Sequence, residues 1–266
     1  MYRVREKKRK EVSDIKIPVI FEDDDFLVVD KPSGLTVNDA QSTKNQETLQ
    51  GWIMRCHPEI FSGSPAHAGF SHTREIPDQV RNDTGDDQEF FAKNGIVHRL
   101  DKDTSGLIVI AKNVASYEKL KAEFQERRVV KKYLTLVHGV VEPKEGEINA
   151  PIERSPVNRT RFGVFPSGRE AKTSYKVIKF VKFKEYPKET YSYLGVEPKT
   201  GRTHQIRVHL KYLGHSVVSD PLYAGRKQLA RDLKICPRLF LHAAHLEILG
   251  HSFDSSLPED LENVLK

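Results

Sequence analysis

A chain of 266 residues with 38% hydrophobic and 30% charged side chains has the make-up of a globular protein with a sizeable core. Its 43 basic against 37 acidic residues leave a net charge of +6, a balance that suits a polyanionic partner without requiring one. Cys56 and Cys236 form no C-x-x-C pair, which excludes a zinc ribbon and a disulfide framework, and no apolar run approaches the ~20 residues of a membrane helix, so a cytoplasmic protein is expected.

Residues 1–17 open with the basic stretch MYRVREKKRK, which no apolar segment follows. VIFEDDDFLVVDKPSG (19–34) predicts a β-hairpin around an acidic turn, with Lys31-Pro32-Ser33-Gly34 stopping the second strand. A helix is expected over 47–57. From Phe61 to Asn94 the sequence shows neither helical nor strand periodicity, so a mobile surface insertion is expected at about 62–92, and deleting 64–90 should leave melting temperature and activity nearly unchanged. LIVIAK (107–112) reads as a buried strand. Asn113 then caps a helix to Arg127 with Val114, Tyr117, Leu120 and Phe124 on one face. Further strands read at 129–141, 172–180, 190–198 and 238–250. Helices read at 203–214, closed by Gly214, and at 257–266, with Pro258 in its first turn. Strands outnumber helices without a strict βαβ rhythm. The fold class expected is one α+β domain over 18–266, on a mixed, largely antiparallel sheet with flanking helices.

HRLDKDTSGLIVIAK (98–112) imitates the opening of a calcium loop, with Asp101 and Asp103 at positions 1 and 3 and Gly106 at 6. The twelfth position, which must chelate the ion with two oxygens, is Lys112, and the flanks are β-like where helices are needed, so calcium is not expected. A polar turn explains Asp, Ser and Gly but not why His98 and Arg99 precede Asp101 between apolar Val97 and Leu100. The histidine pairs 204/209 and 242/245 lack a clear third ligand, and no metal is expected there either.

GIVHRLDKDTSGLIVIAKN resembles the central motif of the RluA family of RNA pseudouridine synthases, which reads HRLD followed by a T-S-G turn. FLVVDKPSGLTV (26–37), VVKKYLTLVHG (129–139), PKTGRTHQIRVHL (198–210) and RLFLHAAHLEI (238–248) are similar to other ordered segments of that family. Two departures stand out. Only a remnant of the N-terminal S4 domain carried by many members is expected in residues 1–17, and about 62–92 replaces a much shorter connection.

The resemblance implies isomerisation of uridine to pseudouridine in RNA, with large-subunit ribosomal RNA favoured over transfer RNA and no cofactor needed; a monomer is expected, though the sequence carries no signal for the oligomeric state. It implies that Asp101 is the catalytic nucleophile, that Arg207 orients its carboxylate, and that Tyr133 stacks on the uracil and mediates proton removal. Ile206 packs on the base's other side, Arg202 and His204 bind substrate, and His98 and Arg99 fill the gap left by the flipped base. Asp103 and Thr104 are expected to hold the turn. Arg154, Arg159, Arg161 and Arg169, interleaved with two phenylalanines, suit either phosphate contact or a solvated basic loop. The alternatives are an RNA-binding protein of the same fold without catalysis, and a hydrolase using Asp101, for which no second carboxylate is evident.

Overall fold

Apolar runs that bury both faces mark the centre of the sheet. The computed structural model describes residues 15–39, 43, 46–61 and 85–266. The basic stretch at 1–14 and the segment 62–84 lie outside the described residues. Strands β2 (Phe26–Lys31) and β3 (Ser105–Ala111) are buried almost throughout, as expected of strands covered on two sides. β1 (Val19–Glu22), largely exposed, pairs with β2 and forms one edge.

Beyond β3 the order continues through β10 (Leu241–Ile248), β4 (Val130–His138), β9 (Tyr191–Pro198), β8 (Lys172–Val181) and β5 (Glu145–Asn149). β11 (His251–Asp254) pairs with the far half of β10. These pairings are antiparallel except that of β3 with β10, which run parallel through Ser105–His242 and Gly106–Ala243. β10 therefore splices a β1–β2–β3 half to a β4–β9–β8–β5 half. Gly106, at φ +118°, lies at the splice, and a Cβ there would come within 2.3 Å of the Ala243 carbonyl oxygen. Only glycine lets the strands approach this closely. A separate hairpin, β6 (Ile152–Arg154) with β7 (Phe162–Val164), stands off the main sheet.

Helix α1 (Leu49–Cys56) starts at Thr48, whose hydroxyl accepts from the Gly51 N–H. α3 (Val114–Gln125) starts with a reciprocal box between Asn113 and Ser116. α4 (Gln205–Tyr212) ends before Gly214, which adopts φ +91°. α5 (Arg226–Asp232) and the short α6 (Glu259–Glu262) complete the second half. One group of buried side chains lies among β2, β3, α1 and α3, and another between α4 and strands β4 and β9. Tyr133, on β4, packs against both.

Four expectations are corrected. Ser105 and Gly106 belong to β3, so the expected T-S-G turn is mostly strand. The strand expected over 129–141 ends at His138. The C-terminal helix is one turn of α-helix and a 3-10 turn, with Pro258 at its N-cap rather than in its first turn. Residues 85–93 are not structureless. They form helix α2 (Gly85–Lys93), whose Phe90 is 1% exposed and packs edge-on against Tyr117 at 5.8 Å. Deleting 64–90 would remove that ring from the core, so it should not be neutral. Phe90→Ala alone is expected to cost about 3–5 kcal/mol in urea unfolding. A loss below 1 kcal/mol would mean that α2 does not seal this core.

Candidate active site

Asp101 lies in the segment entering β3, and the KPSG turn brackets that segment. Ser33 Oγ donates to the Asp103 carbonyl at 2.7 Å and the Gly34 N–H to the Lys102 carbonyl at 2.8 Å. The Lys31 ammonium, wholly buried, donates to the carbonyls of Pro32, Leu35 and Lys102 at 2.9, 2.9 and 3.1 Å. Burial draws its pKa down to about 7, with Asp103 and Asp101 pulling the other way. The Thr104 N–H donates to the Asp101 carbonyl, tightening the turn. The hydroxyl of Thr104 is buried with no hydrogen-bond partner among the described residues.

Arg207 reaches Asp101 from α4. Its Nη1 donates to Asp101 Oδ2 at 2.9 Å, while Nε and Nη2 grip Asp220 bidentately at 2.8 Å each. Burial opposes the guanidinium's charge, but Asp220 and Asp101 outweigh it and hold its pKa above the ordinary range. Asp220 is wholly buried and also accepts from the backbone N–H groups of Leu222 and Tyr223. Arg207 is thus fixed from behind by one carboxylate and presents its remaining nitrogen to the other.

Asp101, Arg207, Tyr133, Ile206, His204 and Arg202 all line one cavity of about 540 Å³, so the structure brings the expected site together. Ile206 contributes a mostly buried apolar wall. The Tyr133 pKa is raised by burial and then by the charge of Asp101, so its hydroxyl keeps its proton. Arg99 is exposed at the mouth. Arg202 is half-buried and donates from Nε to the Glu170 carbonyl at 2.9 Å. Burial lowers its pKa, and the nearby charges of Arg169 and Arg127 add to that. Three arginines therefore share one rim of the cavity. Arg154 belongs to the β6–β7 hairpin, where its guanidinium covers Phe162 at 4.9 Å. Of the four arginines expected as a basic loop, only Arg169 lines the cavity.

His98 requires a correction. It lines the cavity, but its ring stacks on Phe124 at 4.5 Å and its Nε2 accepts from the Val109 N–H at 3.0 Å, so it is a wall rather than a group free to enter an RNA stack. The residue keeps some exposure, yet the ring between Phe124 and β3 is desolvated. Burial, then the charge of Lys131, lowers its pKa to about 3. Unfolded, the imidazole titrates near 6.5. Between those values the unfolded chain binds the extra proton, so stability falls as pH drops from 6.5 toward 3, by up to about 1.4 kcal/mol per pH unit. His98→Gln keeps an acceptor for Val109 and should lack this contribution. Its stability relative to wild type should therefore improve from pH 7 to pH 4.5 in urea unfolding. Parallel losses in the two proteins would rule out a buried neutral His98.

Sequence reasoning missed Lys31, Asp220 and Tyr223. Lys31 stood in a stretch read only as a strand stop. Asp220 had a usable signal, an acidic residue before proline, one serine past the apolar Val217-Val218 pair.

The family described as RNA pseudouridylate synthase matches residues 25–212. The chain is similar to ribosomal large subunit pseudouridine synthase D of Nitrosomonas europaea, 35% identical over 95% of this chain and 65% of that one. Its similarity to the Pseudomonas aeruginosa protein of the same description is 34%, over 93% of this chain and 70% of that one. The chain thus spans about two thirds of the length of these relatives. Among solved structures, human RNA pseudouridylate synthase domain containing 1 superposes with a TM-score of 0.65 at 25% identity, covering 92% of this chain and 84% of that chain.

Proposed function

The chain belongs to the RNA pseudouridylate synthases of the RluA family, and from that premise we propose that it isomerises uridine to pseudouridine in large-subunit ribosomal RNA. The observation that carries this reading is the pairing of Asp101 with Arg207 on the wall of a cavity that also holds Tyr133. The names of the Nitrosomonas and Pseudomonas relatives support the choice of RNA.

Asp101 is the nucleophile. Its Oδ2 is held by Arg207, which orients the carboxylate and leaves Oδ1 for the nucleoside. Breaking the bond from N1 of uracil to C1′ frees a base that must turn before it rejoins through C5, and the cavity confines it meanwhile. Tyr133 lies against that base. The negative charge of Asp101 contributes to its high pKa, so covalent engagement of the carboxylate relieves part of that cost and lets the hydroxyl take part in moving the C5 proton. Ile206 supports the opposite side of the base. Arg99 at the mouth fills the gap in the RNA stack, and Arg202, with Arg127 and Arg169 beside it, meets backbone phosphates. Residues 18–266 form the catalytic unit. It acts as a monomer and works in the cytoplasm on ribosomal RNA, and Asp101, Tyr133 and Arg207 all come from the same chain.

The test maps pseudouridine in ribosomal and transfer RNA by carbodiimide labelling and reverse transcription, with and without the gene, and adds purified protein to unmodified large-subunit RNA. Loss of a stop in that RNA on gene deletion, and its return with the protein, is the expected result. A stop that disappears only from transfer RNA, or none at all, would overturn the assignment.

A further inference from the structure

His204 adopts a backbone conformation that few non-glycine residues occupy. It heads α4 at φ +56°, ψ +21°, and its side chain does not cap the helix. A strained residue at a helix start persists where its surroundings over-determine it. Here they do so through the ring. Nδ1 lies 2.9 Å from the hydroxyl of Tyr223, and Nε2 points across the cavity to Asp101 Oδ1 at 3.9 Å. Phe162 and Tyr223 hold the imidazole edge-on, at 5.6 and 5.7 Å between centroids.

The hydrogen bonds determine which nitrogen carries the proton. The Tyr223 hydroxyl oxygen already accepts from the Phe162 N–H at 2.9 Å, and its own proton has one acceptor among the described residues, His204 Nδ1. Nδ1 is therefore the bare nitrogen and Nε2 bears the hydrogen. The far side of the ring is compatible with the same tautomer, because Asp101 Oδ1, 3.9 Å away, is a carboxylate oxygen and can only accept. Its partner Oδ2 is taken by Arg207, so the two oxygens of Asp101 face two different donors.

Accordingly, we propose that His204 is a positioning residue for Asp101, a neutral imidazole whose Nε2–H steers the carboxylate oxygen left free by Arg207, and that Tyr223 acts through it by fixing that tautomer. The inference rests on the reading of Asp101 as the reacting carboxylate. The gap of 3.9 Å is longer than a hydrogen bond. The donor therefore steers Oδ1 without tying it down, and the oxygen stays available to the nucleoside.

The tautomer makes the proposal separable from simple packing. A glutamine amide reaches the place of Nε2–H, an asparagine amide reaches that of Nδ1, and phenylalanine keeps the ring without either. Single-turnover rates on large-subunit RNA, RNA affinity and melting temperature would be measured for full-length His204→Gln, His204→Asn, His204→Phe, Tyr223→Phe and the His204→Gln/Tyr223→Phe double variant. His204→Phe and His204→Asn should slow the chemical step by about 100-fold with RNA affinity unchanged. His204→Gln should recover most of that loss. Tyr223→Phe should slow wild type but not the His204→Gln background, where no tautomer is left to set. Equal costs of Tyr223→Phe in both backgrounds, or a His204→Gln as slow as His204→Phe, would overturn the proposal in favour of packing. Nitrogen-15 NMR of the wild-type ring supplies a reading that survives any folding defect, and a protonated Nδ1 would equally overturn it. Inactive wild-type protein on every RNA would instead refute the parent reading, while the NMR result would still judge the tautomer.

Discussion

Asp101→Asn is expected to reduce pseudouridine formation by about 10⁴-fold or more while the fold and RNA affinity survive. The amide has the carboxylate's shape, and its oxygen can still accept from Arg207 Nη1 across the 2.9 Å contact. Arg207 also keeps its bidentate pair with Asp220, so losing the charge of Asp101 leaves no buried cation unpaired and should disturb stability little. What disappears is the proposed nucleophile, because an amide cannot replace the carboxylate oxygen in that role. Single-turnover assays would be paired with filter binding of the same RNA. Binding without product is the expected pattern. Product at even a hundredth of the wild-type rate would remove Asp101 from that role and restore a binding-only protein of this fold as a serious reading.

Arg207→Met should fail in a different way, by losing stability and activity together. Arg207 is 2% exposed and Asp220 is wholly buried, so the substitution leaves a buried carboxylate with only the N–H groups of Leu222 and Tyr223. Breaking such a pair costs about 3–5 kcal/mol, which for a domain of this size lowers the melting temperature by roughly 10 °C. Arg207→Met combined with Asp220→Leu removes both charges and should regain most of the stability without regaining activity, because nothing then orients Asp101. A double variant that recovers both would show that the pair serves the fold alone. A single variant as stable as wild type would show that Asp220 tolerates burial unpaired.

Much of this arrangement was legible because periodic local signals and the packed core agree. The FLVVDK run, the Asn113 cap and the Gly214 stop each appear where sequence placed them, since each rests on chemistry within a few residues. Asp101, Tyr133 and Arg207 were recognisable only through family resemblance, because they come from three elements and meet by tertiary packing. Helix α2 was missed because GDDQEFFAK places just two aromatics after a polar stretch, and Phe90 is buried by α3 rather than by any pattern of its own. The buried Lys31 was invisible for a related reason. A lysine is normally exposed, and nothing nearby in sequence reveals that the carbonyl of Lys102 completes its shell. Asp220 grips Arg207 and Tyr223 touches His204, both from outside the motifs, and short motifs carry little trace of such support.

The position of β10 has a bearing on how the enzyme comes into being. Asp101 belongs to the β1–β2–β3 half and Tyr133 to the other, and the strand that splices them, from residue 241 onward, follows both in the order of translation. A ribosome that has already translated Asp101, Tyr133 and Arg207 has still not released the strand that puts them in one frame. Pairings of such long sequence separation form slowly. Until β10 arrives, both half-sheets carry unpaired edges at β3 and β4, the places most open to mispairing.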